Sequence, residues 1–158
     1  MRMVYKVLAF AIAGLVMVQA AAVAFAMFGL FAYIEGGGTI DAANSGPESN
    51  IEFPGVVGFM IHAMFGTMVI PLVAILLLIS SFFAKTPGAV KWAVIVFVTT
   101  AVQVGLGLFA HGIPHLGILH GIVALVLFGV AIMAGMRARK GVAATEATSQ
   151  VATPVATT

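Results

Sequence analysis

The sequence predicts an all-α integral membrane protein, a four-helix up-down bundle with both termini on the cytoplasmic side. Three observations predict it. The 158 residues are 62% hydrophobic and 8% charged, with a mean hydropathy of +1.18. A soluble domain carries about 25% charged residues, so this chain has too few polar side chains to cover a water-facing globule. Its apolar residues gather into four stretches, at about 7–34, 56–83, 92–110 and 116–136. Each has about the length or more of the roughly 20 residues that cross a bilayer as a helix. The few charges divide between the two sides of those stretches, the basic ones on one side and most of the acids on the other.

The first stretch follows Arg2 and Lys6 and ends near Ile34. Its start imitates a signal peptide, with Val18-Gln19-Ala20 resembling a cleavage site. The apolar run continues well past that point, too far for a signal h-region, so it is expected to stay as a helix. A long connection follows, with Glu35, Asp41, Glu48 and Glu52 and the turn formers Gly36-Gly37-Gly38 and Gly46-Pro47. The second stretch contains Pro71, which is expected to kink it. Lys85, Pro87-Gly88 and Lys91 make the next turn. The third and fourth stretches are joined by the short His111-Gly-Ile-Pro-His115 segment. Arg137, Arg139 and Lys140 follow the fourth. All seven basic residues thus fall on one side of the alternation and four of the five acids on the other. By the positive-inside rule the basic side is cytoplasmic. Residues 1–140 read as one transmembrane domain, and 141–158 as a disordered cytoplasmic tail without periodicity. No strand pattern alternates with period two, and an open sheet cannot sit in lipid.

Composition also excludes several chemistries. There is no cysteine, hence no disulfide, thiolate metal site, iron–sulfur cluster or covalent heme attachment. A formal charge of +2 is not that of a nucleic-acid binder. No carboxylate or basic residue sits within a span and no helix carries a polar stripe, which argues against a transporter or channel.

Ionisable residues at membrane depth are functional suspects. Two stand out, His62 and His120. His62 lies about seven residues into the second stretch and His120 about five into the fourth, depths of roughly 10 and 7 Å at about 1.5 Å per residue. Both stretches run from outside to inside. The two imidazoles therefore sit at matching depth on diagonal helices, where they could face each other as axial ligands of a heme iron. Gly66 and Ala124 each follow a histidine at i+4 and offer close backbone approach to a porphyrin. The alternative is that each histidine bonds a neighbouring helix and the small residues mark plain helix packing. His111 and His115 read either as solvated loop residues or, since no Lys or Arg lies on that side, as donors to heme propionates together with backbone N–H groups. Gln103 in the third stretch is placed to bond a ligating histidine or a propionate, or else another helix. Gln19 reads as packing glue.

These residues also carry a family resemblance. Gln103-x-x-Leu106-Gly107, a short loop with Pro114, then Leu119-His120 and Ala124-Leu125-x-Leu127-Phe128 resemble one four-helix half of heme A synthase. The resemblance implies two such halves in that family, each with a histidine on its second and fourth helices facing a heme near the outer surface. His62 and His120 match those positions. Two departures limit what carries over. This chain is a single half, so a second heme site would need a homodimer. The family's catalytic Glu, close before the second-helix histidine, has no counterpart: Phe59 precedes His62 by three residues, and the nearest upstream carboxylate is Glu52.

The expectation is a small bis-histidine b-type heme protein in a bacterial plasma membrane, moving electrons or handling heme at the outer side. The alternatives are a half-size heme A synthase-like enzyme acting as a dimer and a non-catalytic accessory subunit of a larger membrane complex. Expected partners are the lipid bilayer and heme, with no nucleic acid.

Overall fold

The computed structural model describes residues 1–40, 52–110 and 112–151, with side chains of the last helix described through Ala138. Four long helices account for most of them: α1 (Arg2–Glu35), α2 (Val56–Ser81), α3 (Ala89–Ala110) and α4 (His115–Val151). No strand occurs among the described residues. All four are long and apolar enough to cross a membrane. With 34 residues, α1 spans about 50 Å, well beyond the roughly 30 Å of hydrocarbon.

Local chemistry sets the helix ends. Past Glu35, Gly37 takes φ +91°, a left-handed value that costs glycine nothing. The Gly36 and Gly37 N–H groups then return to Ala32 and Ile34 carbonyls. Gly55, at φ +99°, turns the chain into α2. Between α3 and α4, Pro114 precedes the first helical residue, and the Leu116 and Gly117 N–H groups bond the Ile113 and Pro114 carbonyls. The fourth helix extends beyond its expected end at 136. Residues 141–151, expected without structure, continue it as far as Val151. Ala143, Ala144 and Ala147 among them favour helix, and the next proline is Pro154.

The kink expected at Pro71 takes a specific form. Residues Phe65–Val69 make a π turn, in which the Ile70 N–H reaches back to the Phe65 carbonyl. Proline has no N–H, and its ring crowds the carbonyl four residues back, here that of Thr67. Widening the preceding turn relieves that crowding. The Thr67 hydroxyl donates to the Ala63 carbonyl at 2.7 Å within the same stretch.

α1 packs against α2 and α4, and α3 packs against the same two helices. The packed apolar core lies toward the basic end. Tyr5, Ala9 and Ile12 of α1 meet Ala74 and Leu77 of α2, Ala93 and Val96 of α3, and Leu127, Ala131 and Ala134 of α4. Alanine dominates, and small side chains let helix backbones close on one another. The Tyr5 hydroxyl donates to the Ala89 carbonyl at 3.2 Å, and the Arg137 guanidinium stacks 4.6 Å from the Trp92 ring centroid. Toward the other end, α1 and α2 touch through backbone. A Cβ on Gly29 would strike the Pro54 carbonyl, and one on Gly58 the Ala22 carbonyl. Large apolar side chains point outward all round, with Phe28 75%, Leu125 73% and Phe109 71% exposed. In water, apolar surface on this scale would drive association. Against lipid tails it is the expected outer face.

Candidate functional site

Each helix contributes one polar residue to a single cluster. These are Gln19 of α1, His62 of α2, Gln103 of α3 and His120 of α4. The imidazoles of His62 and His120 meet edge to face, with ring centroids 6.0 Å apart and planes 71° apart. α2 and α4 both run away from the turns at Gly55 and Pro114, and distances of seven and six residues from those turns bring the rings nearly level. The pairing expected from the depth count is thus present in space.

Hydrogen bonds fix both rings. His62 Nδ1 lies 3.4 Å from the Gln19 main-chain oxygen, and His120 Nδ1 lies 3.2 Å from the Gln103 main-chain oxygen. A carbonyl only accepts, so each Nδ1 carries the proton and donates it. Each Nε2 therefore keeps a lone pair. His120 Nε2 receives the Gln103 side-chain N–H at 3.2 Å. The Gln19 side-chain N–H goes instead to the Ile61 carbonyl at 3.5 Å. The Oε1 atoms of Gln19 and Gln103 are both buried without a hydrogen-bond partner. An unmet buried acceptor costs about 1–3 kcal/mol, so two of them beside one histidine pair mark a polar region left incomplete.

The neighbouring small residues have distinct places. Gly107 lies against the His120 ring, where an added Cβ would come within 3.1 Å of Cε1. Gly66 lies inside the π turn, and a Cβ there would meet Gln19 Oε1 at 3.4 Å. It thus makes room for the glutamine. Ala124 is half-buried one turn along α4 from His120. His115 is exposed at the start of α4, and His111 lies outside the described residues. In the turn before α4 the Leu116 and Gly117 N–H groups are bonded to the Ile113 and Pro114 carbonyls. An aromatic group sits beyond the cluster toward the acidic end, with Tyr33 and Phe53 centroids 6.0 Å apart and Phe53 and Phe59 6.3 Å apart. Glu52 is exposed in the segment before α2.

Two imidazoles, each with its Nδ1 proton held by a main-chain carbonyl, suit metal ligation through Nε2. Imidazole nitrogen binds metals at about 2.0–2.1 Å, so two such atoms flanking one metal stand roughly 4 Å apart, with ring centroids farther out. The centroids stand 6.0 Å apart, but an edge-to-face pair does not aim both Nε2 atoms at one point, so holding one metal between them requires a ring to turn. Carbonyl bonds to the non-ligating nitrogen are the usual device for orienting a ligand histidine. No group of three or more His, Cys, Asp or Glu side chains gathers among the described residues. A bare ion would want such a group, whereas a tetrapyrrole brings its own equatorial nitrogens and asks the protein for two axial ones.

Gln19 is the residue whose place was missed. Counting inward from the end of α1 puts it far deeper than His62, yet the two are in contact. The reason is that α1 overhangs α2: Gly29 abuts Pro54, and Phe25 abuts Gly55. The available signal was chemical. Gln19 and Gln103 are the only amides within the four spans, one on the leading helix of each hairpin.

No protein-family model, curated protein or solved structure matches the chain.

Proposed function

We propose that this chain is a small bis-histidine b-type heme protein of a bacterial plasma membrane, an up-down four-helix bundle with N- and C-termini inside. The observation that carries the reading is the convergence of His62 and His120 at 6.0 Å, each holding its Nδ1 proton on a main-chain carbonyl and turning a lone pair elsewhere. His62 and His120 would hold the heme as axial ligands. A heme held this way supplies a one-electron redox couple, which suits electron transfer or heme handling at the outer side. Gln19 and Gln103 fix the imidazole tautomers through their backbones. Tyr33, Phe53 and Phe59 form an aromatic group toward the acidic end. The surroundings favour an added group: residues 101–110 of α3 and 115–126 of α4 include no buried side chain, unlike the basic end.

Similarity to one half of heme A synthase agrees with the site but not with its full chemistry. Phe59 stands where that family has its Glu, and Glu52 is exposed. Heme holding is therefore favoured over oxidation of a heme methyl group. A second reading rests on the hydrogen bond between Gln103 and His120 Nε2, which suits histidines serving as interhelical glue in an accessory subunit. A reduced-minus-oxidised spectrum of the purified protein separates the two. A reduced α band lost in His62→Ala and His120→Ala supports heme ligation. A colourless protein that co-purifies with a larger membrane complex overturns it.

A further inference from the structure

We propose that Gln103 is a latch on His120, so that the two histidines engage a heme in a fixed order, His62 first and His120 second. The latch rests on the heme-binding reading above and adds an order to it. What distinguishes the histidines is what each Nε2 meets. The Gln103 side-chain N–H donates into the His120 lone pair at 3.2 Å. The counterpart amide, Gln19, donates to the Ile61 carbonyl, and no hydrogen bond reaches His62 Nε2 among the described residues. One lone pair is available and the other is engaged.

Gln103 is also placed to let go. Its Oε1 has no partner, so the side chain is held by its N–H end alone. Gln103 is half-buried and its Oε1 is enclosed, so release requires the amide to turn within the cluster. Its departure does not loosen the ring. His120 Nδ1 is bonded to the main-chain oxygen of the same residue, which stays where the helix puts it. Tautomer and orientation thus persist while the lone pair is released. Only one hydrogen bond breaks, and no proton or electron is transferred. Gln103 is a positioning residue in this scheme.

The test uses the full chain in nanodiscs, without heme and then mixed with hemin. In the heme-free protein, histidine ¹⁵N spectra should show His120 protonated on Nδ1 with a hydrogen-bonded Nε2. Gln103→Leu should remove the Nε2 bond and keep the tautomer. On mixing, a five-coordinate signal should form first and convert more slowly to a six-coordinate low-spin one. Loss of one neutral hydrogen bond should speed that conversion roughly 5- to 10-fold in Gln103→Leu. Gln103→Ala should do the same, which guards against a packing effect of leucine. Thr99→Val, one turn away on the same helix and outside the cluster, should leave the rate unchanged. A conversion rate equal in wild type and both Gln103 variants, or a proton found on His120 Nε2, overturns the latch while the low-spin spectrum still stands. Absence of any low-spin signal in wild type overturns the heme reading and the latch together.

Discussion

The two ends of this molecule are built on different principles. At the basic end, Ile12, Leu77, Val96 and Leu127 are fully buried among alanines from all four helices. At the histidine end, the side chains turned toward one another are Gln19, His62, Gln103 and His120, and two of their oxygens lack partners. Lipid tails are as apolar as leucine, so helices gain little from apolar burial alone and depend on close packing and hydrogen bonds. The basic end takes the first route and the histidine end the second. The contrast teaches that apolar packing and polar contacts are housed apart. A change at one end should leave the other's signature nearly intact.

The largest expected effect is on the histidine end. His62→Ala or His120→Ala should abolish the low-spin spectrum while circular dichroism still reports a helical protein. Loss of helicity in both would mean that the two ends are not separable. Next comes Leu77→Ala, which opens a cavity among buried residues at the basic end. It should cost about 2–5 kcal/mol in chemical unfolding, with the spectrum unchanged. Tyr5→Phe removes the hydrogen bond to the Ala89 carbonyl and should cost about 0.5–1.5 kcal/mol by the same assay. The smallest effect is expected of Gly107→Ala. Its Cβ would press the His120 ring from 3.1 Å, so the ring must give by a few tenths of an ångström. A small shift in the redox midpoint with unchanged unfolding would fit; a lost spectrum would mean that the ring has no slack.

The helices were legible in the sequence because lipid demands uninterrupted apolar runs, and 7–34, 56–83, 92–110 and 116–136 lie largely within the observed ones. The fourth boundary was not, since alanine after Lys140 prolongs a helix that no longer needs to be apolar. The meeting of His62 and His120 was legible from their distances to Gly55 and Pro114, two turns that start parallel helices. Gln103 was legible as a partner of a histidine. Gln19 was not, because its depth was measured from the end of a helix that overhangs its neighbour. Pro71 announced a disturbance in α2 but not that the chain would answer with a wider turn one step earlier.

That wider turn sets the rotational phase of α2. An α-helix advances about 100° per residue. Over an unbroken helix, Ala74 would be turned about 120° from His62, and Ile70 about 80°. A π bond closes over five residues instead of four and takes up one extra residue, which turns the later part back by about 100°. Ala74 and Ile70 then fall within about 20° of His62. The turn at Phe65–Val69 acts as a keyed joint that sets the core face and the histidine face on one line. Inserting one residue after Met68 should turn the key by one step, about 100°, leaving either the core or the imidazole pair facing the bilayer, whereas deleting Met68 only removes the extra residue and keeps the phase.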